Sequence, residues 1–126
     1  MKETKFNVWN KKHKFMDTAW LIDWEHGRVC HSKHNESDLG DCILLQYTGV
    51  KDMEDLEIYE GNVLYHPMQG KREVYYPFME HVASFGLRNI ENGMAGDLSN
   101  SHIYEIIGNI YEDGSLLNDC QTPKAD

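Results

Sequence analysis

His26, Cys30, His31 and His34 form the densest group of metal-ligand side chains in this 126-residue chain, with Cys42 a little further on. Imidazole nitrogens and thiolates a few residues apart can hold zinc when they converge on one point. Convergence is not what this spacing favours. On a strand Cys30 and His31 point to opposite faces, and no Cys-x-x-Cys pair accompanies them, so the expectation is a polar loop with incidental histidines and no metal. Glu57 and Glu60, flanking Ile58-Tyr59 just before Gly61, could divide acid and base roles if they met in a cleft. A solvated turn and a strand-entry hydrogen bond account for them as well. His81 and His102 stand alone and read as surface or hydrogen-bonded structural residues. The chain has no phosphate-cradling glycine loop, no Gly-x-Ser-x-Gly elbow and no His-Glu-x-x-His helix. It is therefore expected to be no enzyme and to carry no cofactor.

The elements that would position such residues must come from one modest core. A chain of 126 residues buries roughly two-thirds of its unfolded surface on folding, enough for a single domain over 1–126. The apolar fraction of 40% and the aromatic set of 7 Tyr, 4 Phe and 3 Trp argue for a packed interior and against disorder. Cys30, Cys42 and Cys120 are an odd, irregularly spaced set, which fits reduced thiols rather than a disulfide framework. No apolar signal-peptide core stands near the N-terminus, and no stretch approaches the ~20 apolar residues of a membrane helix. A cytoplasmic location without membrane contact is expected. The net charge of −9, from 21 acidic against 12 basic residues, repels phosphate backbones and anionic headgroups. Nucleic acid is thus a disfavoured partner. The acids are interleaved with Lys51, Lys71, Arg72 and Arg88, so the charge reads as solubility rather than nucleic-acid mimicry.

Along the chain, Thr18 to Glu25 alternates as a strand, with Trp20, Ile22 and Trp24 on one face. His26-Gly27 reads as its two-residue turn, which sets Glu25 opposite Arg28 and Trp24 opposite Val29 on the core face. Residues 32–40 are polar and predicted to be an exposed loop, as are residues 96–101. Cys42 to Tyr47 is a short buried strand closed by Thr48-Gly49, and Asp52 to Glu57 is an acidic connection. Gly61 leads into the strand Asn62 to His66, which Pro67 ends. Lys71 to Met79 alternates again, and Pro77, which lacks a ladder donor, assigns it to a sheet edge. Asn92-Gly93 is a hairpin signal.

His102 to Tyr111 is ambiguous by pattern, because Ile103, Ile106, Ile107 and Ile110 also suit a helix face. The β-branched content and an interior Gly108 favour a strand with a bulge. Gly27, Gly49, Gly61, Gly93 and Gly108 are accordingly the expected turn and bulge positions. Leu116 and Leu117 follow the Asp113-Gly114 turn, and residues 122–126 are expected to fray. About eight short strands with turns between them give a mainly β fold, a small antiparallel barrel or sandwich.

Three runs also resemble one family. Lys5-Phe6-Asn7-Val8-Trp9, Leu45-Gln46-Tyr47-Thr48-Gly49 with Glu57-Ile58-Tyr59-Glu60-Gly61, and Glu105-Ile106-Ile107-Gly108-Asn109-Ile110-Tyr111 are similar to segments of the YopX proteins of phages and prophages. This chain departs from the family pattern at Glu54-Asp55-Leu56, where a tight Asn-Gly turn is usual, and at Asn62, where Asp is common. The resemblance implies a barrel-like β fold and self-association, and it implies no activity. Function is then expected to be that of a non-enzymatic accessory protein that binds a host or phage protein and itself. Exposed aromatics such as Tyr59, Tyr75, Tyr76 and Phe78 are the candidate interface. A nucleic-acid-binding β barrel is the alternative, opposed by the charge.

Overall fold

Residues 5–31, 35–76 and 84–113 are described by a computed structural model. Pro77, Leu116, Leu117 and the 122–126 tail lie outside them. Strands β1 (Phe6–Asn10), β2 (Phe15–Asp23), β3 (Arg28–His31), β4 (Asn35–Asp38), β5 (Cys42–Lys51) and β6 (Glu57–Tyr59) form a six-stranded sheet in the order β4-β3-β2-β1-β5-β6. Strands β7 (Asn62–His66), β8 (Gly70–Tyr75), β9 (Gly86–Asn89), β10 (Ala95–Asp97) and β11 (Glu105–Asn109) form a five-stranded sheet in the order β10-β9-β8-β7-β11. The protein is mainly β, as its turn spacing predicts. The sheets are open ones rather than a closed barrel, and the described residues hold eleven strands where about eight are expected. By its internal contacts the chain forms two compact units, Met1–Tyr47 and Thr48–Asp126, with the boundary inside β5.

In the first unit β1 lies between β2 and β5, with Val8 paired to Asp17 on one side and Leu44 on the other. Val8, Val29, Leu45 and Tyr47 are buried here. The β2–β3 turn differs from expectation. It spans four residues, so Asp23 pairs with Arg28 and Ile22 with Val29, not Glu25 and Trp24. Asp23 closes it, because its Oδ1 accepts the His26 backbone N–H at 3.1 Å and its Oδ2 lies 2.8 Å from His26 Nδ1. Gly27 completes it at φ +66°, a conformation that disfavours side chains even though open space surrounds it.

The register also slips between Ala19 and Leu21, a bulge that re-aims the strand and leaves the consecutive Trp20 and Leu21 64% and 50% exposed. Trp24, expected on the core face, sits in the turn at 71% exposure. The loop predicted for 32–40 is, over its described part, strand β4 and a 3-10 turn at Leu39–Asp41. Arg28 holds that edge strand, donating from Nε to Glu36 at 3.0 Å and from a terminal nitrogen to Asp38 at 2.9 Å.

In the second unit Ile58, Leu64, Val74, Leu87, Leu98 and Tyr104 form a buried apolar cluster, against which Val50, Phe85 and Ile106 pack. β8 is interior, between β7 and β9, not at an edge. It ends at Tyr75, ahead of Pro77, so the missing proline donor costs it no ladder bond. Gly61 shows why its position needs glycine. Its φ is +91°, its N–H donates to the Val74 carbonyl and its own carbonyl accepts from Ile110, so strands approach its backbone closely.

The Asn92-Gly93 hairpin forms between β9 and β10, with Asn89 Oδ1 accepting from the backbones of Glu91 and Asn92. Residues 96–101 are not one exposed loop. Gly96 and Asp97 belong to β10, and Ser101 is buried with its hydroxyl donating 3.0 Å to the Lys51 carbonyl. β11 carries the bulge expected at Gly108, where the register shifts against β7 between Ile106 and Gly108.

Candidate functional site

Strand alternation brings four polar side chains of the first unit together. On β2, Asp17 shares a face with Ala19, whose partner across the ladder is His31 of β3. On β4, Ser37 shares a face with Asn35, which is paired with His31 from the other side. Asp17 and Ser37 are thereby diagonal neighbours of one imidazole. His31 Nδ1 lies 3.0 Å from Asp17 Oδ2 and its Nε2 lies 2.8 Å from Ser37 Oγ. Asn10, on β1, donates from Nδ2 to the same Oγ at 3.1 Å.

The partners dictate the tautomer. When the ring is neutral, a carboxylate at Nδ1 places the single proton there and leaves Nε2 to accept the Ser37 hydroxyl. His31 is 3% exposed and Ser37 8%, and the Phe15 ring packs on the imidazole with centroids 5.2 Å apart. Asp17, His31 and Ser37 line an open groove of about 400 Å³ together with His13, Phe15, Asn35 and Glu36. Asp17 Oδ1 is held by the Thr18 backbone N–H at 2.8 Å, which fixes the carboxylate that orients the ring. Burial pushes the nearby Cys42 thiol up, and a hydrogen bond with Ser37 pulls in the opposite direction without cancelling it.

The sequence-predicted positions fare differently. Of the supposed ligand cluster, His26 is engaged by Asp23 in a turn, Cys30 is half-buried on the face opposite His31, and His34 lies outside the described residues. Among the described residues no three His, Cys, Asp or Glu side chains are grouped to hold a metal ion. Glu57 accepts the Tyr59 hydroxyl at 3.1 Å, and Glu60 faces Tyr111, whose phenol is pushed up by burial and then by Glu60 and Glu73. His102 is part of the 3-10 turn Ser101–Ile103, and His81 lies outside the described residues.

Of the proposed interface, Tyr59 is a correction. It is 8% exposed, because β6 turns it into its own fold. Tyr75 is half-buried beneath the Arg88 guanidinium, 4.3 Å from its ring centroid, and Tyr76 is exposed beside Phe85 with ring centroids 5.1 Å apart. Phe78 lies outside the described residues. Gly27, Gly61 and Gly93 stand at turns, whereas Gly49 and Gly108 lie within β5 and β11. Of the exposed apolar residues of β2 and its turn, alternation sets Trp20 and Trp24 on one face and Leu21 on the other. The bulge and the longer turn leave them outside.

Asp17, Ser37 and Asn10 went unnoticed because three different strands carry the Asp, the Ser and the histidine, with no fixed spacing to link them. The resembled segments do meet in space. The Tyr47 backbone N–H donates to the Lys5 carbonyl at 2.8 Å, and Lys5 Nζ sits 5.4 Å from the Tyr47 ring centroid.

The fold is similar to that of protein EF1440 from Enterococcus faecalis, whose crystal structure matches with a TM-score of 0.61 at 18% identity, covering 93% of this chain and 99% of that one. No curated protein matches. The family model described as YopX protein matches residues 2–118, and the chain belongs to the YopX family.

Proposed function

We propose that this chain is a phage or prophage accessory protein that works by binding, both to a second copy of itself and to a partner protein, and that the exposed apolar residues of β2 and the turn after it are the surface it uses. The observation that supports this is the exposure of Trp20 at 64% and Trp24 at 71%, with Leu21 between them in sequence. Tryptophan anchors bury large area at little rotamer cost, and they are enriched among interface hot spots. Asp23 and Glu25 flank Trp24, and the chain as a whole carries a net charge of −9, so the partner surface is a basic one with apolar pockets. Binding of this kind needs no chemistry at the strip.

The test is sedimentation of the wild type beside a Trp20→Ser/Trp24→Ser variant that keeps its thermal midpoint, followed by passage of host lysate over each immobilised protein. The expected result is a wild type heavier than a monomer, a monomeric variant, and a basic host protein retained stoichiometrically by the wild type alone. A monomeric wild type that retains nothing the variant lacks would end this reading. A salt-dependent mobility shift with DNA or RNA would turn attention to the exposed basic turn Lys11-Lys12-His13-Lys14 and the nucleic-acid alternative.

A further inference from the structure

The buried array of the first unit has a feature that structural hydrogen bonding alone does not require. With the ring neutral its proton donors run in one direction, from the Ser37 hydroxyl to His31 Nε2 and from His31 Nδ1 to Asp17, and all three residues line a groove. A serine with a neutral imidazole at 2.8 Å, itself oriented by a carboxylate at 3.0 Å, is the arrangement that turns a weak alcohol into a nucleophile. We infer that Ser37 is a nucleophile that takes an acyl group from a small carboxylic ester bound in the groove lined by Phe15, His31 and Glu36.

In the step, Ser37 Oγ forms a bond to the ester carbonyl carbon while its proton passes to His31 Nε2. The carbon–oxygen bond to the leaving alcohol then breaks, and the same proton moves from His31 to that oxygen. A water activated by His31 attacks the acyl-serine, releasing the acid and restoring the hydroxyl. His31 is the general base and acid. Asp17 is a positioning residue, which holds the ring in the tautomer that accepts at Nε2 and stabilises the imidazolium between steps. The Asn10 amide donates to Oγ at 3.1 Å and so holds the nucleophile in place, while the negative charge of the tetrahedral intermediate develops on the ester's carbonyl oxygen. Asp17 and Glu36 both line the groove, so an anionic ester would face two carboxylates, and an uncharged one is the fitting class. A cavity of about 400 Å³ lies within the size range of small-molecule sites. This inference goes beyond the binding role and does not rest on it, since the docking strip and the serine can be altered separately.

The experiment treats the full chain with a fluorophosphonate, which captures activated serines, and with p-nitrophenyl acetate. Intact mass and peptide mapping then locate the adduct. The expected result is one adduct per chain, on Ser37, formed faster as pH rises. In His31→Gln the rate drops about a hundredfold and its pH dependence flattens. Asp17→Asn, folded by near-ultraviolet dichroism, reacts more slowly with a displaced pH profile, which loss of packing alone would not produce. Folded wild-type protein without an adduct on Ser37, an adduct on another serine, or a His31→Gln variant that reacts at the wild-type rate would each overturn the inference. Mapping on the wild type decides the matter even where Ser37→Ala does not fold.

Discussion

The two compact units satisfy their buried polar side chains in opposite ways. In Thr48–Asp126 the buried polar groups serve backbone. Asp52 accepts from the N–H groups of Glu54, Leu56 and Ile106 at 2.9, 2.9 and 3.0 Å, Thr48 donates to the Ile58 carbonyl, and Ser101 to that of Lys51. In Met1–Tyr47 His31 and Ser37 bond to one another, to Asp17 and to Asn10, whose Oδ1 also accepts the His13 backbone N–H at 2.7 Å. Side chain to side chain bonds are the minority class in folded proteins. A buried polar group that ties down a loop or strand end has its reason in the fold. One that spends its bonds on another side chain has a reason the fold does not supply, and a groove at its end offers one.

Breaking the backbone-serving side of that comparison gives the largest effect. Asp52→Ala removes the acceptor of three N–H groups at a position that is 4% exposed, and the loss is expected to reach about 4 kcal/mol, read as the shift in urea midpoint at unchanged slope. Leu64→Ala, in the apolar cluster of the same unit, should cost about 3 kcal/mol by opening a cavity. If Asp52→Ala costs less than 1 kcal/mol, the carboxylate is not the knot that joins β11 to the β5–β6 connection.

The side-chain array should yield a smaller loss with a distinctive coupling. Ser37→Ala strands Asn10 Nδ2 and His31 Nε2 and is expected to cost about 2 kcal/mol. His31→Gln and Ser37→Ala combined should fall short of additivity by about 1 kcal/mol in a double-mutant cycle, because each change removes the same bond. Additive losses would mean that the histidine and serine are held independently, and the contrast between the units would disappear.

How much of this could be read from residues follows the same division. The mainly β fold was legible, because turn glycines and β-branched runs are local signals. Asn92-Gly93 and the Gly108 bulge sit where short-range chemistry put them. The β2–β3 turn was misjudged by two residues at each pairing, since Asp23 captures His26 and lengthens it, and a side-chain hydrogen bond is invisible to a turn rule based on glycine position. β4 was hidden for a related reason. Asn35-Glu36-Ser37-Asp38 has poor strand propensity, and what makes it a strand is pairing with β3 and the Arg28 ion pairs, which are tertiary. The candidate site inherited that blindness, because its serine lies on the strand that polarity disguised as a loop.

The exposed strip sharpens the comparison from the outside. Trp20→Ser and Trp24→Ser remove large apolar groups that the first unit leaves in solvent, so each should change stability by no more than about 0.5 kcal/mol while abolishing self-association. A loss of 2 kcal/mol or more in the monomer would show that the indoles pack within the chain, and the strip would then be part of a core rather than a surface.

The smallest effect is one the units are expected to share. Asp23 in the first and Asp97 in the second both cap exposed turns, and both carboxyls are held below the ordinary range. For Asp23 the leading cause is the side-chain hydrogen bond with His26, followed by the His26 backbone N–H. For Asp97 it is the Ser99 hydroxyl at 2.6 Å and then the Ser99 N–H at 3.1 Å. A carboxyl with a folded pKa below its unfolded value binds fewer protons when folded. The stability it lends is therefore present above the unfolded pKa and lost as pH falls through the folded one. Carbon-detected titration should place both carboxyls below an unstructured aspartate, and Asp23→Asn should flatten the acid limb of the unfolding midpoint against pH only slightly, since solvent screens both groups. A flatter acid limb in Asp97→Asn than in Asp23→Asn would assign acid sensitivity to the second unit, and with it a difference between the units that their buried residues do not reveal.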